Sequence, residues 1–384
     1  MFRLLFKLDW VLIAVVVFLL SVGLLVLYSL SASGGVNYFL KQLIFALLGL
    51  VVMFFVATFD YRYVQKYSTT LYFGTILALF LVLLFGTTVN GTAGWLSFGI
   101  FQVQPVEVAK VTLIIFLASF ISKKKSELGE WARVIASLVL TAVLILLVLR
   151  QPDLGSSLVL AVIWTGMILA SGLRIRHLVV LSVIGIALVS GSWFVLADYQ
   201  KARIDTFLHP ENDPQGSGYN VLQAMVAVGS GGVSGKGLGY GSQSQLSFLP
   251  EKHTDFIFAV VAEELGLGGA LFVIGLYGVL LYRIRRIGML AQDNFGYLLS
   301  LGVMIMIFFQ VMINIGMNTG LLPVTGLPAP LLSYGGSSLL SVFLSFGLLL
   351  SVYQRKRSDI DTRLSLERSF LEDGKATFPA DKNY

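Results

Sequence analysis

The stretch QSQLSFLPEKHTDFIFAVVAEELGLGG, Gln243 to Gly269, is polar in its first half and apolar in its second. Pro250, Glu251, Lys252, His253, Thr254 and Asp255 fall in the polar half, and the residues after Asp255 are apolar enough to enter a bilayer. Asp255 therefore sits where a loop turns into a buried helix, and a carboxylate in that position is a candidate for chemistry.

The rest of the chain agrees with a membrane setting. Of its 384 residues 56% are hydrophobic and only 12% charged, and the mean hydropathy is +0.84. Soluble domains carry about a quarter charged residues, so this composition describes an integral membrane protein. Cysteine is absent, which excludes disulfides, thiolate zinc sites and cysteine nucleophiles. The net charge of +6 is no nucleic-acid footprint, because the basic residues sit in short loops between apolar runs.

The continuous apolar pattern excludes a barrel and predicts an all-α, polytopic fold of about ten spans. They lie near 10–30, 39–57, 69–86, 105–122, 134–149, 155–172, 178–197, 255–282, 296–317 and 336–353. The first is too long for a cleaved signal sequence and is read as a retained helix. Sixteen Lys and Arg residues, among them Arg3, Arg62, Lys123 to Lys125, Arg174, Arg283 and Arg355 to Arg357, fall on one side. The positive-inside rule makes that side cytoplasmic and puts both termini there. Residues 1–357 then form one membrane domain, with a large outer loop at about 198–254 and a polar cytoplasmic tail, 358–384, that is expected to be in part disordered. Val221 to Val228 is an apolar segment within that loop, too short to span and suited to the interface.

Spans four, six, eight and ten run inward from the outer side, and each opens with a polar motif. The four motifs are QPVEVAK (Gln104 to Lys110), RQPDLGSS (Arg150 to Ser157), EKHTDF (Glu251 to Phe256) and LSYGGSS (Leu332 to Ser338). Four helix N-termini on one side offer free N–H groups and partial positive charge, a setting for a phosphate or diphosphate. Glu107 and Lys110 share a helix face, with Lys110 about 4.5 Å deeper. They read either as a pair that neutralises two buried charges, or as a lysine that meets an anionic substrate with Glu107 orienting it. Asp255 and Asp153 read equally as helix caps, and Ser337 and Ser338 as a glycine turn with a serine cap. Capping favours an ionised carboxylate, so base work by Asp255 also requires burial. Glu263 and Glu264 lie deeper in span eight and read as structural. The run from Gly229 to Gly241 fails as a phosphate loop, since Gly237 follows Lys236 where Ser or Thr is needed. The scattered histidines give no metal spacing. Lys201 and Arg203, in the outer loop, are suited either to solvent or to a phosphate.

These motifs, together with ARIDTFLHPENDP (Ala202 to Pro214) and NTGLLPVTGLPAPLLSYGGSS (Asn318 to Ser338), resemble the SEDS family of bacterial cell-wall polymerases, and within it the RodA branch more than the FtsW branch. The resemblance covers about residues 5 to 355. It implies a peptidoglycan glycosyltransferase of the bacterial cytoplasmic membrane that polymerises lipid II at the outer face during elongation and rod-shape maintenance. It implies Asp255 as catalytic carboxylate, and Glu107, Lys110, Asp153 and Arg203 as substrate-binding. No protein-held metal is expected, although a divalent cation such as Mg or Mn is one way to neutralise the leaving diphosphate. The implied partners are lipid II, membrane lipid and a class B penicillin-binding protein, with no nucleic acid. Gly94 and Val106 depart from the family pattern, which often has arginine and serine there. A lipid-linked precursor flippase, a division-type polymerase and a scaffold remain as alternatives.

Overall fold

The computed structural model describes residues 8–31, 37–89, 92–98, 101–123, 130–171, 201, 205–210, 213, 216–246 and 248–372, with side chains in the last helix described as far as Arg355. In chain order the elements are α1 (Trp10–Ser31), α2 (Tyr38–Thr58), α3 (Tyr61–Lys66), α4 (Ser68–Phe85), β1 (Thr87–Val89), β2 (Thr92–Phe98), β3 (Phe101–Val103), α5 (Pro105–Ser122), α6 (Glu130–Leu149), α7 (Leu154–Leu169), α8 (Ser217–Ser230), α9 (Ser242–Gln245), α10 (Ile257–Met289), α11 (Asn294–Asn318) and α12 (Gly336–Glu372). Among the described residues eight helices are long and apolar enough to cross a membrane: α1, α2, α4, α5, α6, α10, α11 and α12. The expected sixth span is α7, a shorter apolar helix of 16 residues, about 24 Å long. The expected seventh, 178–197, and Arg203 lie outside the described residues.

α5 is the most enclosed of the eight. It packs against α4, α6, α7, α11 and α12, as a helix apolar on every side must. α12 lies along α2, and α10 lies between α1 and α11. The outer face of α2 shows Leu47, Val51 and Phe55, which is what a lipid-facing stripe requires.

One departure from an all-α fold stands between α4 and α5. β1, β2 and β3 form an antiparallel sheet in sequence order, with Thr87 opposite Trp95 and Ser97 opposite Gln102. The segment places β-branched Thr87, Thr88, Val89 and Thr92 on either side of an Asn90-Gly91 dipeptide, with aromatic Trp95 and Phe98 beyond, a hairpin signal that hydropathy alone does not carry. The sheet is tied to the bundle where Ala93 N donates to Gln151 O at 3.2 Å and Ser337 Oγ to Gln102 O at 3.3 Å. The backbone of α12 stays helical to Glu372, and no glycine or proline interrupts the chain between Gly347 and Gly374 to stop it.

α10 is broken at Gly266, where φ is 69° and ψ is −168°. Unpaired backbone is costly in a bilayer, and the glycine-rich loop removes that cost. Lys236 N and Gly237 N donate to the carbonyls of Glu263 and Glu264, both at 3.0 Å, while Leu267 N and Gly268 N donate to Gly232 O and Val233 O at 2.9 and 3.3 Å. The two buried glutamates anchor the same loop. Glu263 accepts from Lys236 Nζ (3.0 Å), Gln243 N (2.9 Å) and Ser244 N (3.0 Å). Glu264 accepts from Ser29 Oγ (2.7 Å), Gln245 Nε2 (3.0 Å) and Gly239 N (3.2 Å). The apolar segment of the loop is α8, which buries Val221, Ala224 and Ala227 and packs against α10 and α11.

A Cβ on Gly266 would lie 2.2 Å from Gly235 N and 2.6 Å from Val233 O. Gly266→Ala combines that overlap with a left-handed backbone, so it is expected to destabilise the protein by at least about 1–3 kcal/mol, read as a lowered unfolding midpoint in detergent. An unchanged midpoint would mean that the loop does not dock there.

Candidate active site

Four of the helix starts meet. A cleft of about 230 Å³ is lined by Gln104 and Glu107 from the start of α5, by Asp153 and Ser156 from α7, by Glu251, Thr254 and Asp255 ahead of α10, and by Ser337 and Ser338 from α12. Trp95, Thr92 and Val89 of the sheet close one side, and the strap from Val324 to Pro328 closes another.

Asp255 is half-buried and belongs to a tight turn. Thr254 N, Asp255 N and Phe256 N all donate to Glu251 O, at 3.1, 3.1 and 3.3 Å, and Glu251 itself is left-handed at φ 50°. The N-cap position of α10 falls to Phe256, whose side chain makes no capping bond. Asp255 thus stands one residue ahead of the cap, so the cap reading of the sequence does not describe it. Its backbone is held from α11: Asn314 Nδ2 and Asn318 Nδ2 donate to Asp255 O at 2.9 and 3.0 Å. Asn314 Nδ2 also reaches Leu327 O at 2.9 Å, and Asn318 Oδ1 accepts from Ala259 N at 2.9 Å. Two buried amides therefore join the acid, the first turn of its helix and the opposite wall. Gly326, at φ 75°, passes close enough that a Cβ there would lie 3.7 Å from Asp255 Oδ2.

The outer rim is sewn in the same way. Ser333 Oγ donates to Thr254 O at 2.6 Å, and Tyr334 N to His253 O at 2.8 Å. From α2, Gln42 Nε2 donates to Ser333 O at 3.0 Å, while Gln42 Oε1 accepts from Gly335 N at 3.2 Å. His253 stacks on Tyr38 with ring centres 4.1 Å apart and planes 19° apart, and Tyr334 meets Tyr38 edge-on.

Asp153 caps α7: its Oδ1 accepts from Ser156 N at 2.9 Å, leaving Oδ2 towards Gln104 Nε2 at 3.5 Å. Glu107 and Lys110 form an ion pair at 2.7 Å, and Ser341 Oγ donates to the second Glu107 oxygen at 3.1 Å. Lys110 is 1% exposed and is not among the residues that line the cleft. The described residues that line the cleft include no lysine or arginine; what they offer an anion is backbone N–H groups and helix starts. Among the described residues no group of three His, Asp or Glu side chains could hold a metal ion.

Sequence reading missed Asn314 and Asn318. They carried a signal, being four apart, with Gln310 a further four before, in an otherwise apolar span, and such a stripe faces the protein interior. It also missed Trp95 and Thr92, which reach the cleft only because the sheet forms.

Comparison with known proteins places this arrangement. The FtsW/RodA/SpoVE family, described as cell cycle proteins, matches residues 9–358. Peptidoglycan glycosyltransferase MrdB of Escherichia coli K12 is 40% identical over 351 residues, covering 91% of this chain and 94% of its own. Stage V sporulation protein E of Bacillus subtilis is 39% identical over 359 residues, covering 91% and 98%. A chain from a peptidoglycan synthase complex, solved to show how polymerization and crosslinking are coordinated, is 31% identical with a TM-score of 0.77, over 91% of this chain and 98% of that one. The rod shape determining protein RodA of Thermus thermophilus superposes with a TM-score of 0.68 at 29% identity, over 91% and 97%.

Two outcomes are expected at the site. Glu107→Gln strands the buried Lys110 charge and should cost about 3–5 kcal/mol, while adding Lys110→Met should recover much of it; equal stability of all three proteins in detergent melts would contradict the pairing. Burial holds the His253 imidazole below its usual 6.5, helped by Lys252 and opposed by Glu251. The unfolded chain therefore takes up this proton first as pH falls below about 6.5, and stability declines until the folded value is passed. Unfolding midpoints measured between pH 7.5 and 5.5 should fall more in the wild type than in His253→Phe, and parallel curves would contradict this.

Proposed function

We propose that this chain, a member of the SEDS (FtsW/RodA/SpoVE) family and a peptidoglycan glycosyltransferase, carries out its reaction in the cleft at Asp255. The observation that carries the reading is the convergence of four helix starts and one carboxylate on a single cleft. The substrate is lipid II, a disaccharide-peptide on undecaprenyl diphosphate. The Asp255 carboxylate takes the proton from the 4-hydroxyl of the acceptor sugar. That oxygen attacks the anomeric carbon of the donor strand and forms the new glycosidic bond. The bond from that carbon to the diphosphate oxygen breaks, the lipid diphosphate leaves with the electron pair, and the configuration inverts.

The leaving group is already anionic, so the protein's contribution is preorganised positive potential at the departing oxygens. The starts of α5, α7, α10 and α12 supply it as partial charges and N–H donors. Glu107 orients substrate while Lys110, behind it, keeps its charge compensated. Asp153 fixes the start of α7, and Arg203 is assigned to substrate phosphate.

The cleft faces the outer side of the cytoplasmic membrane, both termini are cytoplasmic, and the chain has ten spans. Basic loops on the opposite side support this. Residues 1–357 are the membrane domain and 358–384 the tail. Resemblance to a polymerase from a synthase complex and to a rod-shape protein supports a class B penicillin-binding protein as partner and elongation as the process.

Asp255→Asn keeps the side chain's size and removes the base. The purified variant, supplied with lipid II and the class B partner, is expected to be folded and to polymerise at least about a hundredfold more slowly. Polymerisation at the wild-type rate would remove Asp255 as base.

A further inference from the structure

At the end of the bundle opposite the cleft, a second cavity of about 410 Å³ opens between the ends of α5, α6, α7 and α11. Arg133, Ser122, Ser171, Asn294 and Tyr297 contribute its polar lining. Arg133 Nε is buried there with no hydrogen-bond partner. A buried N–H donor without an acceptor costs on the order of 1–3 kcal/mol, and among the described residues Arg133 Nε has none. The nearby described hydroxyls are engaged elsewhere. Ser122 Oγ donates to Ser119 O at 3.1 Å and Ser171 Oγ to Ile168 O at 2.7 Å. The adjacent acid, Asp293, is taken by Arg62 (3.1 Å), Tyr61 (2.9 Å) and Gly296 N (2.7 Å).

We propose that this cavity binds the phosphodiester headgroup of an anionic phospholipid, with Arg133 as the main anion contact. Guanidinium matches phosphate in geometry and charge. The volume exceeds what a lone phosphate needs and is that of a small-molecule pocket. The starts of α6 and α11 add two favourable helix dipoles. The surroundings favour lipid over a soluble phosphate: Ile135 and Leu169, close in sequence to the lining residues Arg133 and Ala170, are exposed apolar side chains, and Trp131 at the start of α6 is exposed as well, as suits an interfacial aromatic. Basic pockets between helices at this surface suit anionic headgroups. The inference goes beyond the polymerase reading and does not depend on it.

Native mass spectrometry of the full-length protein in detergent tests it, using phosphatidylglycerol, phosphatidylcholine of the same acyl chains, and inorganic phosphate. The wild type should retain phosphatidylglycerol in preference to phosphatidylcholine. Arg133→Gln should weaken that retention roughly tenfold, and Arg133→Lys should fall between. Ala170→Phe, placed at the exposed rim, fills the cavity and leaves Arg133 in place, and it should weaken retention as well. Melting curves in lipid-free detergent check folding, and Ala170→Phe decides the matter if Arg133→Gln does not fold. Wild-type retention in both Arg133→Gln and Ala170→Phe, or equal binding of the two lipids, would overturn the proposal. Displacement of phosphatidylglycerol by millimolar inorganic phosphate would assign the site to a soluble anion and overturn the lipid.

Discussion

Two amide side chains in the interior of α11 fix the backbone on which the site is built. Asn314 and Asn318 together bind the Asp255 carbonyl, the first turn of α10 and the Leu327 carbonyl across the cleft. In a low-dielectric interior such bonds are strong when made and costly when missing. A loop residue at a helix mouth would ordinarily sample many positions. Here two amides grip its carbonyl, so the carboxylate is held where four helix starts converge. The hydrogen bonds from α11 go to the backbone of the acid.

The same constraint explains the broken helix beneath the site. A span that must stop and restart at Gly266 exposes carbonyls and N–H groups to a medium that cannot solvate them. The glycine-rich loop fits because glycine lets two backbones approach: a Cβ on Gly235 would lie 2.3 Å from Glu264 O. Glu263 and Glu264 then hold the loop by side chain as well as by main chain. Lys236, which looked like a failed phosphate ligand in sequence, is the counter-charge of Glu263. The outer loop is thus a structural part of α10, and the turn bearing Asp255 stands on it.

Much of this was legible in sequence because membrane insertion leaves a coarse signature. Long apolar runs mark spans. Polar motifs at the starts of spans four, six, eight and ten marked where charge is tolerated, and those four starts do line one cleft. What sequence could not settle is which way a polar group faces. The spacing of Glu107 and Lys110 gave a shared helix face with Lys110 deeper, but not that Glu107 lines the cleft while Lys110 is shut away from it, because that depends on how α5 packs against its neighbours. The sheet was missed since three short strands carry far less hydropathy than a span.

The central claim is that α11 positions the acid. The direct measurement is steady-state lipid II polymerisation by Asn314→Leu, which removes the bonds to Asp255 O and Leu327 O while keeping side-chain volume. If the amides position the acid, kcat falls on the order of tenfold or more, with KM for lipid II little changed, in protein that still melts cooperatively. A wild-type kcat in that variant would contradict the claim.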